Sequence, residues 1–557
     1  MAVKVFVGGE NFEELRSGGS YYVDKTELLY ELVNNNSKVT LFTRPRRFGK
    51  TLTMRMIESF FDCSRDSRAV FEGLDIMKHE DFCAEWMNRY PVLLVTLKDV
   101  EGLTFESAYG MLKVTLSGMC IRYAYLADSD KTTEDDKAVF RRLMSRDASP
   151  DEIKSSFVTL CRMMHAHYGR PVILLIDEYD VPLAKANEEK EGGTRYYQQM
   201  LEVIRGMMST ALKSNDHLKL GVVTGCLRIA KESIFTGVNN FASYSVLDEK
   251  FSRYFGFTQL EVDRLLEVAG LGEKSDVCKA WYDGYIFGSS AVYCPWDVIC
   301  YVSDLLYRKT ARPKNYWQNT SGNGIIRSFV ERTEFNVSGK FETLMNGGSI
   351  TQSISDALTY DSLYESEENL WSVLLMTGYL TKADPEEQEN PVSVRIPNRE
   401  IGGIFQETVA RFFSDHVDHT EIQALMAALW SGDEEGASRG LTGFLRKTIS
   451  YMDYHETYYH AFLAGLFSGR GYEVYSNRES GTGRPDLILI DHRTYRVLIL
   501  EAKRSGSKAQ MEQDCRAALK QIAEREYAAA YEEDYDEILC YGVSFYRKSA
   551  LVRKLGE

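Results

Sequence analysis

The sequence predicts an α/β protein, in which a parallel sheet with helices on both faces precedes a mostly helical middle region and a C-terminal α/β domain. Two observations predict this architecture. Apolar stretches typical of buried strands alternate with helical stretches across the first half of the chain, and a pair of strand-like stretches returns near its end. Strands that are apolar along their whole length indicate a parallel sheet that is covered on both faces.

The strands and helices of the first half follow from hydrophobic spacing and from end signals. The strand-like stretches are 37–43, 91–100, 171–180 and 218–225. The spacing predicts helices over 27–33, 51–62, 149–169 and 196–213. In the third of these helices, Ser149 is placed as the N-cap and Pro150 at the first helical position, which proline favours.

The alternation of strand-like and helical stretches ends near residue 257, where a mostly helical region begins. Thr258 and Glu261 have the spacing of a capping box and predict the start of the helical region. The stretches 383–391 and 431–440 are predicted as solvated loops. The predicted domains are 1–255, 256–440 and 441–557.

Bulk composition excludes several classes of protein. The chain of 557 residues is too long for one core, and its 44% hydrophobic and 26% charged residues are typical of globular proteins. A net charge of −15 argues against a non-specific nucleic-acid coat, although a local basic groove remains compatible with it. The ten cysteines include no C-x-x-C, which favours reduced thiols and a cytoplasmic protein. No apolar run is long enough to span a membrane, and the first residues do not resemble a secretory signal.

The stretch TRPRRFGKTL (43–52) ends like a phosphate-binding P-loop. Gly49, Lys50 and Thr51 stand where a P-loop needs glycine, the phosphate-binding lysine and the hydroxyl that reaches Mg²⁺. Arg44 occupies the place of the first glycine. The loop is therefore a working site, a degraded one or a chance match. Its arginines, Arg44, Arg46 and Arg47, are open to three interpretations: a solvated basic turn, an anion clamp or a DNA contact.

Two further strand ends carry matching chemistry. The strand over VILLIDE ends in Asp177 and Glu178, the arrangement of a Walker B motif. There Asp177 would hold Mg²⁺ and Glu178 would orient or deprotonate the attacking water. Thr224 ends the strand over VVTG and Arg228 follows it, where a polar sensor of the γ-phosphate is expected. An acidic helix cap is the alternative for the two carboxylates, but three such strand ends in this order favour an ATP site.

The C-terminal strand pair predicts a second site. The stretches 483–490 and 496–505 form a predicted hairpin, in which Asp486 begins the first strand. Glu501 and Lys503 lie two apart near the end of the second strand, so both point to one face and meet Asp486. Two carboxylates can hold Mg²⁺ and one lysine can position water, which is the PD-(D/E)XK nuclease pattern. A salt bridge on an edge strand is the alternative for Glu501 and Lys503.

Four stretches carry a resemblance to a known family: RPRRFGKT, LLIDEYD, TGCLRIAKESIF and WYDGYIFG. They resemble AAA-ATPase-like proteins with a C-terminal PD-(D/E)XK nuclease domain, a largely uncharacterised prokaryotic family, over nearly the whole chain. The resemblance implies a P-loop NTPase-type sheet, a restriction-endonuclease-like C-terminal domain, and ATP and Mg²⁺ as cofactors. The arginine-rich loop is the family's usual form, so the whole loop, including Phe48, is expected to contact the nucleotide.

The resemblance also adds flanking residues to the nuclease site. The family places an acid such as Glu456 beside the metal, although a solvent-facing acid is the alternative. Gln521 and Tyr527, on a helix predicted over 518–531, match a glutamine-to-tyrosine motif whose spacing here is wider than usual. A zinc-protease motif at His455 and His460 is rejected, because histidines five apart on a helix point in different directions.

The function predicted from these sites is that of an enzyme, an ATPase coupled to a Mg²⁺-dependent nuclease that acts on DNA. A nucleotide-responsive binding protein with little catalysis is the alternative, and an active ATPase with a vestigial nuclease is a third reading. A homo-oligomer is possible, because many AAA-type ATPases hydrolyse ATP with an arginine from a neighbouring subunit. The sequence does not identify such an arginine.

Overall fold

The structure is a computed structural model. It describes residues 3–556 except 189–194, 230–233, 236–239, 318–337, 346, 357, 359, 361–364, 388, 416–418, 449–458, 460–461, 464–465, 468–472, 477–484 and 533. The chain forms two compact units, one of Met1–Tyr316 with Thr351–Arg399 and one of Trp317–Ile350 with Glu400–Glu557. The predicted division into three domains is finer than these two units and stays a prediction.

The strands are numbered in chain order. They are β1 (Val39–Thr43), β2 (Val92–Thr96), β3 (Val172–Asp177), β4 (Leu218–Gly225), β5 (Phe241–Tyr244), β6 (Tyr285–Phe287), β7 (Ser290–Val292), β8 (Ile350–Gln352), β9 (Thr381–Lys382), β10 (Val392–Arg395), β11 (Glu473–Ser476), β12 (Leu487–Asp491), β13 (Arg496–Arg504), β14 (Glu537–Tyr546) and β15 (Ser549–Lys554).

The α-helices are numbered in the same way. They are α1 (Phe12–Ser17), α2 (Glu27–Val33), α3 (Lys50–Phe61), α4 (Arg68–Phe71), α5 (Glu80–Trp86), α6 (Phe105–Arg122), α7 (Glu134–Ser145), α8 (Pro150–Lys154), α9 (Ser156–Tyr168), α10 (Val181–Asn187), α11 (Tyr197–Leu212), α12 (Gln259–Val268), α13 (Ser275–Tyr282), α14 (Pro295–Tyr307), α15 (Ser338–Met345), α16 (Glu367–Met376), α17 (Arg399–Asp415), α18 (His419–Ser431), α19 (Glu434–Thr448) and α20 (Met511–Glu524). Short 3₁₀ helices cover Asp75–Lys78, Ala124–Asp128, Ser252–Tyr254 and Gly272–Lys274.

The first unit is built on a five-stranded sheet with the order β2-β3-β4-β1-β5. Every neighbouring pair in it is parallel. All residues of β1 and β3 are buried, as expected for strands that are covered on both faces. The predicted parallel α/β sheet is confirmed.

The predicted helix over 149–169 is two helices in the structure. The capping box of Ser149 and Glu152 starts α8 as predicted, but α8 ends at Lys154 and α9 begins at Ser156. Between them, the Ser155 hydroxyl donates to the carbonyl oxygens of Asp151 and Glu152. A serine that bonds back to the preceding turn competes with the helical ladder and bends or ends a helix.

The helical region after residue 257 begins as predicted, with a capping box formed by Thr258 and Glu261. Helices α12, α13 and α14 share a core of their own, which includes Leu265, Tyr282 and Tyr301. Among the helices that the structure describes, none is both long and apolar enough to cross a membrane.

The second unit contains a mixed sheet with the order β11-β12-β13-β14-β15, in which only β13 and β14 are parallel. Strands β12 and β13 form the predicted hairpin, with Leu487 opposite Leu500. Alternate residues of this hairpin enter two different cores, because successive side chains of a strand point to opposite faces. Leu498 and Leu500 join one core, and Val497 and Ile499 join the other.

Two predicted boundaries in this unit are wrong. The stretch 431–440 is not a loop, because α19 begins at Glu434 and the Asp433 carboxylate accepts a hydrogen bond from the Gly436 amide. An aspartate followed by two glutamates is a helix start signal that the prediction missed. Helix α20 covers Met511–Glu524 rather than 518–531, and it stops before Glu526, whose φ of 52° is left-handed.

Candidate functional site

The ends of three parallel strands place the predicted nucleotide-site residues at one edge of the first sheet. Phe42 of β1 lies opposite Thr224 of β4, and Ile176 of β3 lies opposite Val223 of β4. The P-loop follows β1, and Asp177 is the last residue of β3. In open α/β sheets, ligands bind at this carboxyl edge.

The P-loop turns into helix α3 at Gly49. Gly49 has a φ of 80°, and a Cβ atom added there would meet no atom within 4 Å, so open space lies beside the backbone. Helix α3 begins at Lys50, and no side chain caps its first turn. The first backbone N–H groups of such a helix are available to phosphate oxygens.

The Lys50 amino group is buried at the centre of this loop. It donates to the carbonyl oxygens of Arg44 (3.2 Å) and Pro45 (3.1 Å) and lies 3.3 Å from Glu178 Oε1. Burial acts to lower the pKa of Lys50, but the surrounding acidic groups, Glu178 and Asp177 among them, raise it above its ordinary value. Lys50 is therefore held as a buried cation.

Asp177 links the P-loop to the end of β4. Its Oδ2 accepts a hydrogen bond from the Thr51 hydroxyl (2.8 Å), and its Oδ1 accepts one from the Thr224 hydroxyl (2.5 Å). Burial and the charge of Glu178 raise the pKa of Asp177, and the two hydroxyl donors oppose that shift. The structure thus brings together Thr51, Asp177 and Thr224, three of the residues predicted for the nucleotide site.

Glu178 has a strained backbone next to this network. Its φ of 54° lies in the left-handed region, and its amide donates to the Thr224 hydroxyl at 3.4 Å. Non-glycine residues with this conformation are uncommon and often occur at functional sites. The conformation directs the carboxylate to Lys50.

Arg44 lies inside the protein. Its guanidinium is 0% exposed and donates to the carbonyl oxygens of Thr43, Tyr244 and Phe251. It also lies over the ring of Phe255, 5.0 Å from its centre. Burial lowers the pKa of Arg44 to about 9, so the side chain stays charged at neutral pH. This geometry gives no support to the predicted phosphate contact, because the donors of Arg44 are directed at backbone oxygens of the protein interior.

The other predicted loop residues differ in their surroundings. The Arg47 guanidinium stacks on Trp296, 3.8 Å from the ring centre, and the residue has a φ of 74°. Phe48 is buried against Tyr285 and Phe287, so its ring has a packing role. Arg46 is half-buried and lines the cleft beside Lys50.

Arg228, the predicted sensor, is ion-paired to Asp356 at 2.7 Å. The structure therefore does not bring its guanidinium to the phosphate-binding residues. Its neighbourhood contains a residue that the sequence analysis missed, the buried Asp180, which accepts hydrogen bonds from the amides of Cys226 and Leu227 and from the Tyr360 hydroxyl. The signal for Asp180 was its place three residues after Asp177 in the motif DEYD.

A cleft of about 520 Å³ opens in front of the P-loop. Arg46, Gly49, Lys50, Thr51 and Glu178 line one part of it, and aromatic residues such as Tyr21 and Trp296 line another. Its volume falls within the range of small-molecule sites, which is about 300–1,000 Å³. The buried lysine, the uncapped helix and the cleft fit a nucleoside triphosphate. The oxygen atoms of Thr51 and Asp177 fit Mg²⁺, which prefers hard oxygen ligands.

The second predicted site lies in the hairpin of β12 and β13. Asp486 directly precedes β12, and its Oδ2 accepts a hydrogen bond from the Ala502 amide of β13 (2.7 Å). Because Leu487 pairs with Leu500, Asp486 lies beside the end of β13 that carries Glu501. The expected meeting of Asp486, Glu501 and Lys503 is therefore observed.

Glu501 is the centre of this cluster. Its Oε1 lies 3.1 Å from Lys503 Nζ and also accepts a hydrogen bond from Gln521 of α20. Its Oε2 is buried without a hydrogen-bond partner among the described residues. Burial, together with the charge of Asp486, raises the pKa of Glu501 to about 7. A buried oxygen without a donor is the atom that a cation would satisfy.

Tyr527 lies next to Gln521, with 3.4 Å between the tyrosine oxygen and Gln521 Nε2, and its side chain is buried. Gln521 donates to the Tyr527 hydroxyl and to Glu501, so Tyr527 supports the glutamine beside the carboxylate. The predicted acid Glu456 lies outside the described residues. Within the part of the chain that the structure describes, no three His, Cys, Asp or Glu side chains converge on one metal position.

Two family models match the chain. Residues 6–235 match a family described as predicted AAA-ATPase, and residues 454–554 match the PD-(D/E)XK nuclease superfamily. The chain therefore contains an AAA-ATPase-like domain and a C-terminal PD-(D/E)XK nuclease-superfamily domain. The nucleotide site described above lies in the AAA-ATPase-like domain, and the Asp486, Glu501 and Lys503 cluster lies in the PD-(D/E)XK domain.

Relatives add little about activity. The "Uncharacterized protein in vnfD 5'region" of Azotobacter chroococcum mcd 1 is 24% identical over 569 residues, which is 99% of this chain and 98% of that protein. A solved Signal Transduction ATPase with Numerous Domains (STAND) protein with a tetratricopeptide repeat sensor, from Pyrococcus horikoshii, is 10% identical, and the match covers 85% of this chain with a TM-score of 0.21. The match spans 51%, about half, of that structure, and so low a TM-score gives it no weight here.

The PD-(D/E)XK domain offers two carboxylates for a metal. Asp486 and Glu501 supply hard oxygen atoms. Among the described residues, no donor forms a hydrogen bond with Oε2 of Glu501, so this oxygen is left for a cation. Lys503 donates a hydrogen bond to Glu501 Oε1, so Oε2 stays without a donor among the described residues. This donor set fits Mg²⁺.

Proposed function

We propose that the protein binds and hydrolyses ATP in its AAA-ATPase-like domain and cleaves DNA at a Mg²⁺ site in its PD-(D/E)XK domain. The observation that carries the nuclease half is the Glu501 carboxylate, which is buried, lies beside a second carboxylate and has one oxygen without a partner. A buried anion of this kind is costly unless a cation compensates it. An edge-strand salt bridge alone does not explain it, because the hydrogen bond of Lys503 is to Oε1, and Oε2 has no donor among the described residues.

In the nuclease site, each residue has a distinct proposed role. Mg²⁺ bound to Asp486 and Glu501 would lower the pKa of a water molecule and offset negative charge on the phosphate. Lys503, whose ammonium group lies 3.1 Å from Glu501 Oε1, would position that water and offset charge on the phosphate. Gln521 orients Glu501 through their hydrogen bond.

In the ATP site, Lys50 and the first amides of α3 bind the phosphates, and Thr51 with Asp177 hold Mg²⁺. Glu178 accepts a proton from the attacking water. The Lys50–Glu178 ion pair supports this assignment, because a phosphate that binds Lys50 replaces Glu178 as its partner and leaves that carboxylate available for water. The binding or hydrolysis of ATP would then control the activity of the nuclease domain. This is the coupling that we propose for the two domains.

A nuclease assay tests the first half. Purified full-length protein is incubated with Mg²⁺ and supercoiled plasmid, single-stranded DNA or RNA, with and without ATP. We expect DNA cleavage that Asp486→Asn and Lys503→Ala each abolish, while Glu524→Gln on the exposed end of α20 leaves it unchanged. Cleavage of RNA alone would change the substrate class. Cleavage that persists in Asp486→Asn would refute the assigned site.

The alternative function is a nucleotide-responsive binder, and the same assay separates it. ATP-dependent retention of DNA on the protein, without cleavage of any substrate, would support the binder. ATP hydrolysis without cleavage would indicate a vestigial nuclease. The ATPase half is tested in Lys50→Ala and Glu178→Gln, and full turnover in both variants would show that the assigned ATP site is wrong.

A further inference from the structure

The three arginines of the P-loop differ in the groups that their side chains contact. Arg44 is buried and bonded to three backbone carbonyl groups. Arg47 stacks on Trp296. Arg46 is half-buried, lines the cleft, and makes no hydrogen bond and no ion pair with any residue that the structure describes.

Lys25, which lines the cleft, and Arg228, the predicted sensor, already have partners. Lys25 binds both oxygen atoms of Glu261 at 2.7 Å and the carbonyl oxygen of Arg253 at 2.8 Å. Arg228 is paired with Asp356. Among these cations, Arg46 is therefore the one that neither hydrogen-bonds, nor forms an ion pair, nor stacks on a ring with the described residues.

Arg46 lines the same cleft as the Lys50 and Glu178 side chains. Burial acts to lower the pKa of its guanidinium, but Cys226, Tyr360, Glu178 and Asp180 raise it, and their combined effect prevails. Glu178 directly follows β3 and pairs with Lys50, so the attacking water and the terminal phosphate are expected beside these two residues. Arg46 therefore lines the cleft in which the reacting end of a nucleotide is expected.

We propose that Arg46 is a catalytic residue that supplies, from within the same chain, the arginine that stabilises the terminal phosphate during hydrolysis. A single chain is then competent to hydrolyse ATP, with no arginine from a neighbouring subunit. This inference rests on the proposed ATPase activity. An arginine in this role, supplied in cis or in trans, increases kcat by about 10³–10⁵-fold in other nucleotide hydrolases.

The proposed hydrolysis of ATP consumes one water molecule and needs no further reagent. The water oxygen forms a bond to the γ-phosphorus while the bond from that phosphorus to the β–γ bridging oxygen breaks. Glu178 takes one proton from the water, and the products are ADP and inorganic phosphate. Negative charge grows on the bridging oxygen and the transferred group, where the guanidinium of Arg46 and the ammonium of Lys50 stabilise it.

The decisive experiment measures ATP turnover and ATP binding in Arg46→Ala, Arg46→Lys and the control Arg205→Ala, which removes an exposed arginine of α11. We expect Arg46→Ala to lower kcat by at least about 100-fold while weakening ATP binding by less than about 10-fold, because the arginine acts mainly in the transition state. Arg46→Lys should recover part of kcat, since it restores charge without the planar fork. Arg205→Ala should keep kcat near the wild-type value.

A mixing experiment decides whether the arginine acts within one chain. Arg46→Ala chains are mixed with an excess of Lys50→Ala chains, which cannot turn over ATP but still carry Arg46. We expect no rescue, and we expect wild-type turnover per chain to be independent of protein concentration. Rescue by the Lys50→Ala chains, or turnover per chain that rises with concentration, would place the arginine in trans and overturn the proposal.

The failures of the two proposals are distinguishable. Wild-type kcat in Arg46→Ala, with turnover lost in Lys50→Ala and Glu178→Gln, would overturn the role of Arg46 and leave the ATP site intact. No turnover in the wild-type protein would overturn the proposed ATPase activity and this inference with it. Circular dichroism and thermal unfolding of Arg46→Ala would show that a loss of kcat is not a loss of fold.

Discussion

The amino group of Lys50 lies 3.3 Å from a carboxylate oxygen of Glu178, and both side chains are largely withdrawn from solvent. The residue expected to bind phosphate and the residue expected to activate water therefore form an ion pair with each other. An incoming phosphate competes with Glu178 for Lys50. The ion pair thus predicts that the two residues respond in opposite ways to substitution.

The first prediction concerns Glu178→Gln. We expect the variant to bind ATP more tightly than the wild-type protein, because it removes a negative charge next to the phosphates and leaves Lys50 without a competing carboxylate. We expect its kcat to fall by at least about 100-fold, because the proton acceptor is lost. Equilibrium titration with ATP and Mg²⁺ measures the first effect, and steady-state phosphate release measures the second.

The control for Glu178→Gln is Glu202→Gln. Glu202 also pairs with a lysine, Lys154 at 2.6 Å, but its side chain is 63% exposed and lies on α11. An exposed pair of this kind contributes little, so both measurements should stay at wild-type values. Weaker ATP binding in Glu178→Gln would contradict the competition between Glu178 and phosphate.

The second prediction is that Arg44→Gly, which restores the glycine of a standard P-loop, destabilises the protein. The substitution removes a buried guanidinium and leaves the carbonyl oxygens of Thr43, Tyr244 and Phe251 without its donors. Breaking a buried charged network costs about 3–5 kcal/mol. Chemical denaturation followed by fluorescence measures the loss, and Arg47→Gly, at a partly exposed position with positive φ, serves as the control. Unchanged stability in Arg44→Gly would refute the structural role of Arg44.

The contrast between Arg44 and the Walker-type residues shows what the sequence can predict. Asp177 ends β3 and Thr224 is the penultimate residue of β4, and the strand pattern alone assigned both residues to one predicted site. The surroundings of Arg44 depend on Tyr244 and Phe251, which are 200 and 207 residues away in sequence. No local pattern distinguishes an arginine that binds phosphate from one that binds distant carbonyl oxygens.

The nuclease site follows the same rule. Asp486, Glu501 and Lys503 belong to one hairpin, and the alternation of side chains along two strands was enough to predict their meeting. The ends of helices were less predictable, as α20 shows. Its end depends on the left-handed conformation of Glu526, a glutamate for which the sequence carries no stop signal.

The third prediction concerns the stability of the metal-free protein with pH. Glu501 has a pKa of about 7 in the folded state and 4.5 as its ordinary value. Its contribution to stability is fully present below the lower value and is lost as pH rises through the higher one, because the buried carboxyl must ionise. At pH of about 8, Glu501→Gln should therefore be more stable than the wild-type protein, by on the order of 2 kcal/mol without metal.

Thermal unfolding in the presence of EDTA, at several pH values, measures this difference. Added Mg²⁺ should raise the unfolding temperature of the wild-type protein but not that of Glu501→Gln, because only a carboxylate binds the ion tightly. Glu524→Gln is the control and should follow the wild-type protein at each pH. A Glu501→Gln protein that is less stable than the wild type at high pH would show that Glu501 is not buried as an uncompensated anion.

The fourth prediction concerns two histidines at the amino-terminal edge of the parallel sheet. His165 Nδ1 and His217 Nδ1 lie 2.9 Å apart, so at most one of the two atoms can carry a proton in that contact. Burial and the neighbouring charges of His165 and Arg162 lower the pKa of His217, against the opposing effect of Asp216 and Asp136. Below the ordinary pKa of histidine, about 6.5, the unfolded chain takes up a proton that the folded protein does not. Stability should therefore fall as the pH drops below that value, and His217→Asn should flatten this part of the profile.

The measurement is the midpoint of thermal unfolding of the wild-type protein and the variant between a pH of about 5.5 and about 8, a range that spans histidine titration. His492→Asn is the matched control, because His492 is an exposed histidine of the other unit and pairs with Glu473 at 2.6 Å. It should leave the acid side of the profile unchanged. If His217→Asn loses as much stability in acid as the wild-type protein, the contact between the two imidazole rings does not cause the loss. Other titrating groups, such as carboxylates in surface ion pairs, must then account for the acid sensitivity.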